Sequence, residues 1–227
     1  MFIVKKYEKV SITKTVLIPI IIMLILSAIL FIPAGSLKFF EAWIWLGEFF
    51  LMMVYTSIYL FKKNPELLKK RMEFKEKEKM SKIQSLLNLY IIGFSVPGID
   101  YRNHWSNVPT SLVIISNIIV CIGLIIIILV FKENSYASTT IKIENGQYVI
   151  STGIYSIVRH PMYLGMLLIT LFSPLALGSF WALIPFVFSV PATILRIQNE
   201  EKLLFKELLG YREYCLKVKY RVLPFIW

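Results

Sequence analysis

The residues best suited to chemistry lie in the stretch Gly153-Ile-Tyr-Ser-Ile-Val-Arg-His-Pro-Met-Tyr-Leu-Gly165. Arg159 and His160 directly precede a long apolar run that contains Tyr163 near its start. Pro161 is favoured in the first turn of a helix, so the pattern predicts that a helix begins here. Free N–H groups at a helix N-terminus attract anions. The alternative is an anchor at the membrane interface, where Arg and Tyr are common.

A second group of reactive side chains follows in the segment Arg196-Ile-Gln-Asn-Glu-Glu. Arg196 ends a run, 162–195, that contains no charge, and a cation at such depth indicates a functional site. The pattern predicts a charged helix from Arg196 onwards, on which Glu200 shares the face of Arg196 and Glu201 lies about 100° further round. An ordinary ion pair on an amphipathic surface helix is the alternative.

Other chemistry has less support in the sequence. His160 has only His104 as a fellow histidine, predicted on the opposite membrane face, and the two cysteines form no zinc or disulfide pattern, so no metal site is predicted. Glu48 lies within a predicted span, where it could serve a proton pathway or be a structural carboxylate. No P-loop or Rossmann fingerprint is present, so any cofactor must bind between the 147–163 loop and the tail helix.

The elements that position these residues are membrane helices. Hydrophobic residues make up 57% of the 227, which is typical of a membrane protein. A span needs about 20 apolar residues. The sequence therefore predicts an all-α integral membrane protein with about six transmembrane helices. The predicted spans are 15–34, 39–61, 83–98, 110–131 and two short crossings within 162–195, with a turn offered by Pro174 and Gly178-Ser179.

The basic residues predict the orientation of these spans. With the N-terminus placed in the cytoplasm, 23 of the 25 Lys and Arg residues lie on the cytoplasmic side, and only Lys38 and Arg102 lie outside. Both termini and both halves of the candidate site are then cytoplasmic. Since the basic residues cluster between apolar runs, they indicate membrane topology and not a nucleic-acid surface.

The polar segments between the spans divide the chain. Asn64-Pro65 begins a strongly charged loop in which residues 66–79 could form a surface helix. Residues 132–160 are polar and contain no span. We therefore predict an N-terminal transmembrane region, 1–131, and a C-terminal region, 132–227, that holds the cofactor loop, the helical hairpin and the amphipathic tail.

These motifs together resemble the isoprenylcysteine carboxyl methyltransferase family, relatives of the membrane phospholipid methyltransferases. The similarity is carried by Gly153-Ile-Tyr155, Arg159-His-Pro-Met-Tyr163, Arg196 with Glu200-Glu201, and the tail residues Gly210, Tyr214 and Arg221-Val-Leu-Pro224. Asn64-Pro-Glu-Leu-Leu and Gly98-Ile-Asp100 resemble prokaryotic-type members, which would imply a bacterial or archaeal plasma membrane.

The resemblance implies a cytoplasmic pocket for S-adenosylmethionine and a catalytic role for Arg196, Glu200 and Glu201. Arg196 is expected near the methyl acceptor, and one of the two glutamates is expected to contact the cofactor. The acceptor would be lipid-like, possibly the carboxylate of an isoprenylcysteine. The implied cofactor contacts are Gln147, Tyr148, Val149, Ile150 (in a strand-like segment), Tyr155, Arg159, His160, Pro161, Met162, Tyr163, Glu200 and Glu201.

Two other functions remain open at this point. Membrane reductases of the steroid-reductase type have a similar C-terminal layout but use a nicotinamide cofactor. A small transporter or metal-resistance component would instead have charged or metal-ligating residues in several spans, where only Glu48 qualifies.

Overall fold

The computed structural model describes residues 12–72, 80–137 and 143–227, with 12, 14, 72 and 80–90 as backbone only. This part of the chain is helical and contains no strand. Its helices are α1 (Ile12–Ala34), α2 (Phe40–Lys63), α3 (Pro65–Met72), α4 (Met80–Asn103), α5 (Thr110–Glu133), α6 (Pro161–Ala176), α7 (Leu183–Val187), α8 (Ser189–Glu207) and α9 (Tyr211–Lys217). The all-α prediction is confirmed, and the strand-like segment predicted at 147–150 is irregular.

Three helices within the described ranges are long and apolar enough to cross a membrane: Thr15–Ala34 in α1, then α2 and α5. They confirm three of the predicted spans. The α6 helix is apolar but has only 16 residues, about 24 Å, which is less than the hydrocarbon core of about 30 Å.

The chain reverses after α6 at the predicted turn, where Gly178 adopts a left-handed conformation with φ of +71°. The α8 helix begins at Ser189 and not at Arg196, so the expected helix start is wrong. Pro191 lies in the first turn of α8, where a missing N–H is tolerated. Arg196 therefore lies two turns inside a continuous helix that carries the apolar run into the charged segment.

The predicted charged loop starts with a sharp turn between α2 and α3. The N–H of Asn64 bonds to the carbonyl of Leu60, and its side-chain oxygen accepts from the N–H of Leu67. This confirms the predicted break at Asn64-Pro65. The surface helix proposed for 66–79 is formed up to Met72, and 73–79 lie outside the described residues.

A close helix crossing joins α5 to α6 at Gly123 and Gly165. A Cβ atom added to Gly165 would lie 2.7 Å from the carbonyl oxygen of Gly123, and the reverse distance is 2.8 Å. The two backbones therefore approach each other as only glycine allows. This crossing sets the position of Tyr163, half a turn before Gly165, relative to the end of α5.

Gly165→Ala is expected to destabilise the protein by about 1–3 kcal/mol, because the added methyl group forces the α5 and α6 backbones apart. The matched control is Gly47→Ala in α2, where no atom lies within 4 Å of the added Cβ and stability should be kept or rise by about 0.5–1 kcal/mol. Thermal unfolding in detergent measures both. Equal stability of the two variants would contradict the close crossing.

Candidate active site

The candidate site forms where the start of α6 meets α8 and the C-terminal segment. Residue 161 is the first residue of α6, as predicted, and His160 precedes it. The backbone N–H groups of Arg159 and His160 donate to the carbonyl oxygens of Tyr220 and Arg221, at 2.9 and 2.8 Å. The Arg-His turn is therefore held by the tail through backbone bonds, independently of its side chains.

The carboxylate of Glu201 joins the three segments. The residue is buried, with only 4% of its surface exposed. Its Oε2 accepts a 2.7 Å hydrogen bond from Nε of Arg221. Its Oε1 lies 3.1 Å from Nε of Arg159, as an ion pair without hydrogen-bond alignment, and 3.4 Å from Nε2 of His160. Three partners from two segments thus surround one carboxylate.

The protonation of Glu201 reflects these contacts. Burial alone would raise the pKa of its carboxyl, but hydrogen bonds from His160 and Arg221 and the charge of Arg159 outweigh burial. The pKa of Glu201 therefore lies below its usual value, and the group is an anion at neutral pH. A carboxylate held in this way is bound to protein partners on both oxygens.

Tyr163 connects the other two charged residues of α8. Its hydroxyl donates to Oε2 of Glu200 at 2.7 Å and accepts from Nε of Arg196 at 3.1 Å. The side chain is 5% exposed and packs with Ile197 and Val222. One hydroxyl therefore lies between Arg196 and Glu200, which are expected from the sequence to contact different ligands.

Tyr155 is fixed by both flanking regions. Its hydroxyl accepts a 2.9 Å hydrogen bond from the side-chain amide of Asn134, and its carbonyl accepts a 2.7 Å bond from the hydroxyl of Tyr214. Burial raises the pKa of Tyr155 to about 12, so it is a neutral donor and acceptor. Gly153 starts its turn with φ of +55°, where a Cβ would lie 2.7 Å from the Glu133 carboxylate.

The expected cofactor segment 147–150 spreads over several environments. Gln147 accepts from the N–H of Glu144, and Tyr148 is 63% exposed with its ring against Tyr136. Val149 packs on the aromatic cluster of α9, whereas Ile150 packs beside Tyr155. Only the second half of the segment thus lies against the residues that form the site.

The structure brings the predicted residues together in two adjoining groups: Arg159, His160 and Glu201, and Tyr163, Arg196 and Glu200. Pro161 is buried at the start of α6, and Met162 packs in the cluster around Tyr155. Sequence reasoning missed roles for Arg221, Asn134 and Tyr214. Arg221 and Tyr214 were present in the tail pattern, whereas nothing in the sequence singled out the amide of Asn134.

Fold and site together define an all-helical integral membrane protein whose polar site lies where a short apolar helix begins. The fold resembles that of a solved structure described as the eukaryotic intramembrane Ras methyltransferase ICMT, with a TM-score of 0.55 and 16% identity, over 93% of this chain and 77% of that one. Residues 112–206 match the model of the isoprenylcysteine carboxyl methyltransferase (ICMT) family. The resemblance predicted from the motifs is therefore confirmed.

One curated relative has a different activity in its name. A Delta(14)-sterol reductase of Mus musculus is 32% identical over 92 residues, which are 39% of this chain and 22% of the relative. The chain thus spans about a fifth of the length of that relative.

Proposed function

We propose that this protein is a membrane methyltransferase that transfers a methyl group from S-adenosylmethionine to a lipid-like acceptor. The family match at 112–206 and the fold of an intramembrane methyltransferase support this activity. The observation that carries the proposal is the Tyr163 hydroxyl, which holds one cation and one carboxylate side by side at the start of α6.

The two glutamates differ in their availability to a ligand. Both oxygens of Glu201 face Arg or His side chains, so we assign Glu201 to holding the site together. Glu200 uses Oε2 for Tyr163, and its Oε1 has no hydrogen bond within the described part of the chain. A free carboxylate oxygen suits the positively charged methyl donor, so Glu200 is the proposed cofactor contact.

Arg196 is the proposed contact of the methyl acceptor. The cofactor supplies an activated methyl group, so the protein has to orient the two reactants more than to activate them. A carboxylate acceptor is ionised at neutral pH and needs no general base, but it needs a cation that holds it. The planar guanidinium of Arg196 can hold a carboxylate through two hydrogen bonds. The acceptor oxygen forms the new bond to the methyl carbon, and the electron pair of the broken bond stays on the donor sulfur.

The same geometry supports a proposal for the class of acceptor. Arg196 follows directly on the apolar part of α8, so an acceptor with a lipid tail would reach it from the bilayer while its polar end meets the site. We propose a lipid-like or prenylated acceptor on this basis, with residues 132–227 as the catalytic region. The finer topology, with six crossings and both termini in the cytoplasm, also belongs to this proposal.

Incubation of purified protein with methyl-labelled S-adenosylmethionine and a membrane lipid extract tests the activity. Label is expected in a lipid product, and release of labelled methanol by mild base would identify a methyl ester. A boiled sample and a Glu200→Gln variant are the controls. Failure to label any lipid in extracts from several sources would contradict the methyltransferase proposal.

The proposed topology predicts opposite accessibility for two exposed positions. In a background without the native cysteines, Asn107→Cys should react with an impermeant thiol reagent added outside intact cells, whereas Arg212→Cys should react only after the membrane is opened. The reason is that nearly all basic residues then lie inside. Labelling of position 212 and not of position 107 in intact cells would reverse the orientation.

The sterol reductase similarity supports a second candidate function, reduction of a lipid with a nicotinamide cofactor. The two candidates differ in the cofactor that binds, so a direct comparison of both cofactors separates them.

A further inference from the structure

The short helix α3 packs beneath the loop that carries the candidate site, although it lies in the N-terminal half of the chain. Its Leu67 is fully buried, and its Leu68 is 7% exposed. Both belong to one apolar cluster with Phe131 at the end of α5 and Tyr155 in the loop. Ile150 and Met162 pack against the same cluster.

Two adjacent cations of α3 contact the loop at separate points. Nη1 of Arg71 donates a 2.8 Å hydrogen bond to the carbonyl oxygen of Ala137, and its guanidinium lies 4.5 Å from the centre of the Phe131 ring. The ammonium of Lys70 pairs with the carboxylate of Glu144. Helix α3 therefore contacts the loop at two points, Ala137 and Glu144, which are seven residues apart.

Arg71 is half-buried between the loop and the end of α5. Burial lowers the pKa of Arg71, because a cation loses hydration there. The carbonyl of Ala137 and the face of Phe131 offset part of that loss. A solvated surface arginine would need neither contact, so Arg71 differs from an exposed cation such as Lys63 at the end of α2.

We propose that Arg71 is a positioning residue for the methyl-donor side of the site, acting through the loop that ends at Tyr155. This inference rests on the proposed methyltransferase function. Arg71 holds Ala137 against α5, and the shared apolar cluster passes this constraint to Tyr155 and Ile150. Tyr155 and Ile150, which the family resemblance assigns to the cofactor, lie in this cluster or pack against it, whereas Arg196, the proposed acceptor contact, bonds to Tyr163 outside it. Loss of Arg71 should thus affect the cofactor more than the acceptor.

The test measures cofactor use by Arg71→Met, which keeps the stem of the side chain but removes its charge and hydrogen bond. In the methyl-transfer assay with lipid extract, the KM for S-adenosylmethionine should rise about tenfold, as for a lost charge-assisted bond, while kcat changes less than about twofold. Binding of S-adenosylhomocysteine by calorimetry should weaken by a similar factor. The matched control is Arg212→Met, an exposed arginine whose loss should change neither constant.

Arg71→Lys keeps the charge and tests the proposal if the methionine variant does not fold. Its affinity for S-adenosylhomocysteine should fall about threefold, because an ammonium cannot reproduce the planar guanidinium. Wild-type affinity in a folded Arg71 variant, or an equal loss in Arg212→Met, overturns the positioning role. Absence of binding to the wild-type protein overturns the proposed function itself, and with it this inference.

Discussion

Glu201→Ala is expected to have the largest effect of any single substitution in the site. It leaves Arg159 and His160 buried without their common anion and removes the link to Arg221. Removal of one partner of a buried ion pair costs about 3–5 kcal/mol, so the unfolding temperature in detergent should fall steeply. Cofactor binding should be lost together with stability, because the side chains of Arg159 and His160 then lose their contact with α8, although the backbone bonds of the turn to the tail remain.

The control for Glu201 is Glu207→Ala, an exposed carboxylate on the same helix. Its removal should change stability by less than about 0.5 kcal/mol. If both variants were equally stable, the carboxylate of Glu201 would not be the group that joins the three segments.

The contribution of Glu201 should also depend on pH in one direction. Its pKa is lowered in the folded protein, so the stabilisation is fully present above the ordinary value of 4.5 and is lost as the pH falls through the folded pKa. Glu201→Gln should therefore be less stable than the wild type at neutral pH, and the difference should narrow below pH 4.5. A constant difference between neutral and acidic pH would contradict an ionised Glu201.

The second large effect concerns the two residues on either side of Tyr163. Arg196→Ala should raise the apparent constant for the acceptor, or lower turnover, by about ten- to a hundredfold with cofactor affinity nearly intact, since a charge-assisted contact is worth roughly 1.5–3 kcal/mol. Glu200→Gln should weaken the binding of the cofactor by a similar factor and leave the apparent constant for the acceptor nearly unchanged. Arg196→Lys should rescue only in part, because it lacks the planar fork.

Tyr163→Phe is the matched variant for this division of roles. It removes only the hydroxyl that lies between Arg196 and Glu200. The apparent constants for the cofactor and the acceptor should therefore both rise, but by smaller factors than in Arg196→Ala or Glu200→Gln. If Arg196 and Glu200 serve only as an ordinary ion pair, all three variants should show small and similar losses for both ligands, as for exposed pairs worth under about 1 kcal/mol. Such a result would contradict the assignment of separate ligands.

Local patterns in the sequence predicted the local features of the fold. Pro161 marked the start of α6, and Asn64-Pro65 marked the break before α3, because proline restricts the backbone in the same way wherever it occurs. Apolar runs of about 20 residues predicted α1, α2 and α5, because a helix of that length is needed to cross a membrane. The charge pattern wrongly suggested that a helix begins at Arg196. The charge of the side chains changes there, but the helical backbone of α8 continues through it.

The roles of the two glutamates could not be predicted, because they depend on contacts between distant parts of the chain. Glu200 and Glu201 are adjacent in sequence, and only the packing of α8 against α6 and the tail decides which one is buried. The partial burial of Arg71 could not be predicted either, because a basic residue in a strongly charged segment is usually solvated. In both cases the decisive partner lies more than 30 residues away.

Calorimetric titration of the purified protein tests the central proposal most directly. S-adenosylhomocysteine, the product of methyl transfer, should bind to one saturable site, and the affinity should fall about tenfold or more in Glu200→Gln. A nicotinamide cofactor titrated in parallel should give no saturable heat. Saturable binding of the nicotinamide cofactor, with none for S-adenosylhomocysteine, would contradict the methyltransferase and favour the reductase.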